Sequence, residues 1–257
     1  MSTSTFPALL ADLLRTDASR PLVTFYDDAT GERIELSRAT YANWVSKTAG
    51  LVQDELEVER GALVLVDLPT HWLGTVWLGA AWTAGISVTA DRSLAGAADL
   101  VVCAPGGLDR YAVLAGDRPV VAVSLRPLGG RFVAPLPSGV IDYGAVVLAL
   151  PDVFVPADPP TSHDPAWREG AASMTQAELL DTTAGHQLVE PGGRLLTDVN
   201  PCLRAGVATL LSPLLQEGAT VWVANAEEST WQRKYDEERA TAQLLTADQG
   251  GDQPPRS

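Results

Sequence analysis

Residues 61–89, GALVLVDLPTHWLGTVWLGAAWTAGISVT, constrain the fold more than any other part of the chain. Residues 62–66 are a run of apolar side chains ended by Asp67-Leu68-Pro69. Short apolar runs closed by a proline turn read as strands buried on both faces. Thr70 is placed to cap a helix, because its hydroxyl can accept from a backbone N–H that has no partner within the helix. That helix carries Trp72, Val76, Leu78, Ala80 and Trp82 and stops at Gly85, where a left-handed residue suits glycine. A second apolar run, 86–89, follows at once. Strand, helix and strand with short joints form a crossover between parallel strands. Trp77 and Trp82 fall about 140° apart around such a helix, so more than one of its faces is expected to be covered.

The same stretch raises a membrane question. Residues 68–90 carry no Asp, Glu, Lys or Arg, and a run of that length can span a bilayer. Pro69, His71, three glycines and the lack of a cationic flank favour a buried crossover. The N-terminus, MSTSTFPALLADLL, has no basic segment leading into a long apolar core, so no secretion signal is expected. Cys103 and Cys202 are far apart and lack metal-like spacing, which fits reduced thiols in a cytoplasm. A net charge of −14 argues against nucleic acid and anionic membrane as partners. With 257 residues, 46% of them hydrophobic, the chain can bury one large core.

The remaining pattern is that of an α/β protein with mostly parallel sheets and flanking helices. Apolar residues at 6, 9, 10, 13 and 14 mark one face of a first helix. Residues 22–26 and 32–36 flank the turn DDATG as a hairpin, and Ser37 can cap a helix reaching about Leu56. Further strands are expected at 99–104, 119–124, 194–198, 219–224 and 240–246, with short helices at 108–114 and 143–150. Residues 161–170 read as polar and irregular. Thr175 and Glu178 form a capping box for a helix to Gly185, and Ser229 and Gln232 suggest another for a charged helix to about Glu238. Residues 203–216 read as a helix that Pro213 bends or ends. The expected organisation is one unit, 1–247, with lobes at about 1–155 and 156–247 as an option, followed by a disordered polar tail, 248–257.

In this order the elements resemble the N-terminal part of the adenylate-forming superfamily, which includes acyl-CoA synthetases, luciferases and the adenylation domains of peptide synthetases. The likeness runs from ERIELSRATYANWVSKTAGLV through the 61–89 stretch to LLSPLLQEGATVWVAN, and covers about residues 5–245. A closer resemblance is to short actinobacterial proteins that look like truncated adenylating enzymes; arginine outnumbers lysine, which occurs only at Lys47 and Lys234.

The chemical motifs of the superfamily depart from this sequence. The resemblance implies a Ser/Thr/Gly-rich loop with a lysine, whose backbone N–H groups cradle ATP phosphates. It should fall between Val155 and Thr175, where the chain reads PADPPTSHDPAWREGAASM, with one glycine and no lysine. Residues 156–172 are therefore expected to form an irregular surface connection without an anion-sized ring of N–H groups. The aromatic-His segment of the family is altered to Asn200-Pro201-Cys202-Leu203. Lys234 matches no catalytic lysine of the family, and the chain is expected to end before the adenine and ribose segments and the mobile C-terminal domain.

No catalytic residue, metal site or cofactor is therefore assigned. His71, His163 and His186 are isolated from one another, and Ser162-His163-Asp164 cannot act as a triad because triad members meet through the fold. Asn200 and Cys202 are the candidate pocket residues, standing where the family's acyl pocket begins. The expectation is a catalytically inactive relative of AMP-forming ligases with a binding or regulatory role and a possible protein partner. Alternatives are a residual acyl or nucleotide binder and one half of a split ligase.

Overall fold

A computed structural model describes residues 4–246. Its first third comprises α1 (Phe6–Asp17), the hairpin β1 (Pro21–Asp27) and β2 (Glu32–Ser37), and α2 (Arg38–Gly50), followed by a π-helical turn, Leu51–Glu55. The crossover comes next as β3 (Leu63–Asp67), α3 (Trp72–Thr83) and β4 (Ser87–Thr89). β5 (Leu100–Cys103), α4 (Leu108–Tyr111), β6 (Val120–Ala122), β7 (Val140–Asp142) and α5 (Tyr143–Val146) continue the alternation. The remainder is β8 (Pro165–Glu169), β9 (Ala172–Thr175), α6 (Gln176–Ala184), β10 (Arg194–Thr197), α7 (Val207–Leu215), β11 (Ala219–Ala224), α8 (Glu228–Glu237) and β12 (Ala242–Leu244).

The strands form two sheets, in the orders β12-β10-β11-β1-β2 and β7-β6-β5-β3-β4-β8-β9. All pairings are parallel except the two terminal hairpins, β1–β2 and β8–β9. This is the α/β fold expected from the alternation of apolar runs and helices. Both sheets draw strands from both sides of residue 155.

α3 lies between the layers, touching β3 and β4 of one sheet, β1 of the other, and helices α1 and α2. Every residue from Trp72 to Trp82 is buried, which accounts for its uniformly apolar sequence. The Trp82 ring packs 5.4 Å from Phe6, and its Nε1 donates to the Ala166 carbonyl. Trp77 turns the other way, against Tyr143 at 5.2 Å. Among the described residues no helix is long and apolar enough to cross a membrane.

Local expectations hold or fail for identifiable reasons. Ser37 caps α2 through Thr40 N, and the Thr175–Glu178 capping box is complete. Gly85 takes a left-handed φ of +71° after α3. Thr70 does not cap α3: its hydroxyl donates to the Asp198 carbonyl, and His71 Nδ1 accepts from Leu73 N instead. The Ser229 capping box is absent, because α8 starts after Glu227 without a side-chain cap. Glu227 N and Thr230 Oγ1 are both held by Asp28. Residues 204–206 form a 3-10 turn, so α7 begins only at Val207, and Pro213 lies inside its last turns.

The larger correction concerns 161–170 and the irregular connection expected over 156–172. Pro165–Glu169 is a strand, β8, with Ala166 and Trp167 buried and Trp167 paired to Val88 of β4. Its backbone joins the sheet while Arg168 and Glu169 face water, so its composition looks polar. The proposed tail, 248–257, lies outside the described residues.

Candidate functional site

Parallel strands all present their C-terminal ends on the same edge, and ligands of open α/β sheets bind there, where the strand order reverses. In the seven-stranded sheet that reversal falls at β3, because β4 lies on one side of it and β5 on the other. The turn after β3, Asp67-Leu68-Pro69-Thr70-His71, also meets the ends of β1, β10 and β11 from the second sheet. The result is a run of three adjoining hollows.

The central hollow, about 730 Å³, is walled by the β3 turn, Ala90, the Pro105–Gly107 turn, Asn200 and Leu203. Two guanidiniums enter it. Arg92 Nη2 is 2.9 Å from Asp67 Oδ1, and Arg110 Nη1 is 3.8 Å from Asp67 Oδ2. Tyr111 donates to the same carboxylate at 2.7 Å, and its own hydroxyl is raised by burial and by this contact. Both arginines are more than half exposed, so they keep donors free for a ligand in a chain that is otherwise strongly acidic.

The second hollow, about 380 Å³, shares Pro69 and Leu125 with the first and is walled by Phe25, Asp27, Thr70, His71, Asp198 and Asn225. His71 is 3% exposed. Burial lowers it to about 4, outweighing the opposing pull of Asp27, so its ring is neutral near pH 7. Asp27 is held below its ordinary range although burial alone raises it, because Asn225, Ala29 N and Thr30 all donate to it. The third hollow, about 490 Å³, adjoins the central one through Ala90, Arg92 and Leu203 and reaches Trp167 and Glu169 of β8.

The two pocket candidates separate. Asn200 lines the central hollow and ties the sheets together: its Nδ2 donates to the Leu68 carbonyl and its Oδ1 accepts from Cys202 N. Cys202 is 1% exposed, and burial pushes its thiol up to about 12. Its Sγ faces the α3 backbone so closely that a Cβ on Gly74 would lie 2.5 Å away. It is a packing residue, with its thiol protonated and out of reach of the cleft.

Lys234 is equally far from chemistry. Its Nζ is buried 2.6 Å from Asp28 Oδ1 and 5.5 Å over the Tyr26 ring, and pins α8 to the first sheet. His163 contacts Ser162 and His186 contacts Thr182, both on the surface. The residues that do converge, Asp67 at the end of β3, Arg92 in the turn after β4 and Arg110 in α4, come from separate elements, and only the strand order brings them together.

The stretch expected to carry a phosphate loop is closed. β8 and β9 are joined by two residues, Gly170 and Ala171, and Glu169 already pairs with Ala172. Gly170 has a positive φ of +55° at the first central position of the turn, as tight hairpins require. The turn has two residues, where the resemblance implies a longer glycine-rich loop with a lysine.

No protein-family model matches the chain. Over 246 residues it is 34% identical to a TIGR03089 family protein of Mycobacterium tuberculosis, covering 92% of this chain and 96% of that one. Its fold is similar to that of Brucella canis acyl-CoA synthetase, with a TM-score of 0.75 over 92% of this chain and 15% identity. The match takes in 47% of that enzyme's chain, and at this identity the likeness concerns the fold alone.

Proposed function

The chain belongs to the TIGR03089 family, and we propose that it is a non-adenylating protein on an adenylate-forming fold, with a binding or regulatory role. The observation that carries this reading is the Gly170-Ala171 turn. Adenylation moves a highly charged triphosphate through its transition state, and catalysis comes from donors already aimed at that charge. Removing one such donor typically costs about 10²–10³ in rate. Here the whole loop is replaced by two residues, and Lys234 is occupied by Asp28. Each sheet takes strands from both sides of residue 155, which among the described residues supports the reading of 1–247 as one unit over two lobes.

A second reading, a residual acyl or nucleotide binder, is favoured by Arg92 and Arg110 on the 730 Å³ hollow. The two readings agree on the cleft and differ on its ligand. The test is pyrophosphate release from ATP and Mg²⁺ with a panel of fatty, aryl and amino acids. The expected result is no carboxylate-dependent release above a heat-denatured control. Release that follows the purified protein would overturn the non-adenylating reading, and release only on adding a partner chain would turn it into the split-ligase alternative.

A further inference from the structure

We propose that the central hollow takes an apolar organic acid as its monoanion, held by Arg92 and Arg110, with Asp67 as the internal counterion against which the ligand competes. This rests on the second reading above, a residual small-molecule binder, and narrows the ligand of that reading.

The charge balance of the wall carries the argument. Among the described residues lining this hollow, Asp67 is the one acid and stands against two guanidiniums. One positive charge is therefore left over, in a chain whose net charge is −14. The carboxylate is fixed: its side chain is 15% exposed, and Oδ2 accepts from Tyr111 at 2.7 Å. The arginines are not enclosed with it, since their side chains are 62% and 55% exposed. Arg92 spends one of its several N–H groups on Asp67 Oδ1. Arg110 stands 3.8 Å from Oδ2, too far for a hydrogen bond, and its guanidinium carbon lies 5.7 Å over the Tyr111 ring. Two water-accessible cations sharing one already engaged carboxylate have capacity for a second anion.

The rest of the wall selects among anions. A guanidinium fork suits carboxylate and phosphate alike, so its shape does not decide. Charge does: one surplus cation matches a monoanion, whereas a phosphate dianion or a polyphosphate would exceed it beside Asp67. The apolar lining points the same way. Leu68, Leu125 and Leu203 share the hollow with the arginines, and Leu203 is left 50% exposed, so a carbon body seated there would cover apolar surface. The volume, about 730 Å³, is within the range of small-molecule sites.

The experiment is calorimetric titration of the full chain with benzoate and octanoate, their neutral amides, inorganic phosphate, AMP and ATP. At least one acid should bind, and its amide should bind about tenfold or more weakly. Arg92→Gln and Arg110→Gln should each weaken the acid about fivefold or more. Asp67→Asn keeps an acceptor for Tyr111 and Arg92 but removes the competing charge, so it should tighten the acid about threefold or more. A cluster that is only structural would lose affinity, or keep it unchanged, in all three variants, and that result would overturn the proposal. Equal binding of acid and amide, or tighter binding of phosphate than of either acid, would overturn it as well. If Asp67→Asn does not fold, Arg110→Gln and the comparison of acid with amide decide. Binding of AMP or ATP without either acid would sink this proposal and leave the residual-binder reading standing; no binding by any compound would sink both.

Discussion

Gly74→Ala and Cys202→Ala, made singly and together, form a cycle that tests whether Cys202 is packing or pocket. An alanine Cβ at position 74 would lie 2.5 Å from Cys202 Sγ, with Pro201 Cγ at 4.0 Å as its next neighbour. Overpacking of that kind costs about 1–3 kcal/mol. Gly→Ala inside a helix returns about 1 kcal/mol, so the single change should cost about 0–2 kcal/mol. Cys202→Ala removes one fully buried atom, worth about 1 kcal/mol with its small cavity. In the double variant the new methyl enters the space left by sulfur, and stability should return to near wild type. The expected coupling is therefore about 1–3 kcal/mol, favouring the pair. Urea unfolding of the four proteins measures it. Additivity within about 0.5 kcal/mol would refute the contact, and with it the placement of Cys202 against α3.

Other outcomes follow from the same structure. Trp82→Ala should lose about 3–5 kcal/mol, since it empties a buried site beside Phe6 and removes the Nε1 hydrogen bond to the Ala166 carbonyl; a melting temperature close to wild type would make α3 peripheral. Asp28→Ala leaves the Lys234 ammonium buried without its partner and should cost about 3–5 kcal/mol in thermal or urea unfolding. His71 is lowered to about 4 by burial, against about 6.5 unfolded, so its contribution is full above pH 6.5 and is lost as pH falls toward 4. That loss is about 3 kcal/mol, and a stability profile over this window should flatten in His71→Asn. Asp28 and Asp164 are both raised by burial but lowered further by Lys234 and Arg60, so their contributions persist above about pH 4 and disappear only in stronger acid.

The parts of the fold written in local chemistry were legible in the sequence. The 61–89 crossover announces itself by continuous burial, and Thr175 with Glu178 form a self-contained signal. β8 was not legible, because a five-residue strand with two exposed charged residues has neither alternation nor length to distinguish it from a loop. The cap of α3 was misplaced by one residue because Thr70 finds a distant acceptor, Asp198, that no local pattern encodes. The same limit governs the cleft. Asn200 could be found from its position in the series, but Asp67, Arg92 and Arg110 meet only through sheet order. His71 reads as an isolated histidine in the sequence, and only packing reveals that its Nδ1 caps α3.

The proposed loss of adenylation rests on a two-residue turn, Gly170-Ala171, standing where the resemblance places a phosphate cradle. A crystal structure of the chain grown or soaked with ATP, Mg²⁺ and sulfate tests it most directly. No phosphate or sulfate is expected on the backbone of residues 168–172, whatever anions gather at Arg92 and Arg110. A phosphate group bound by successive N–H groups at Gly170 and Ala171 would contradict it.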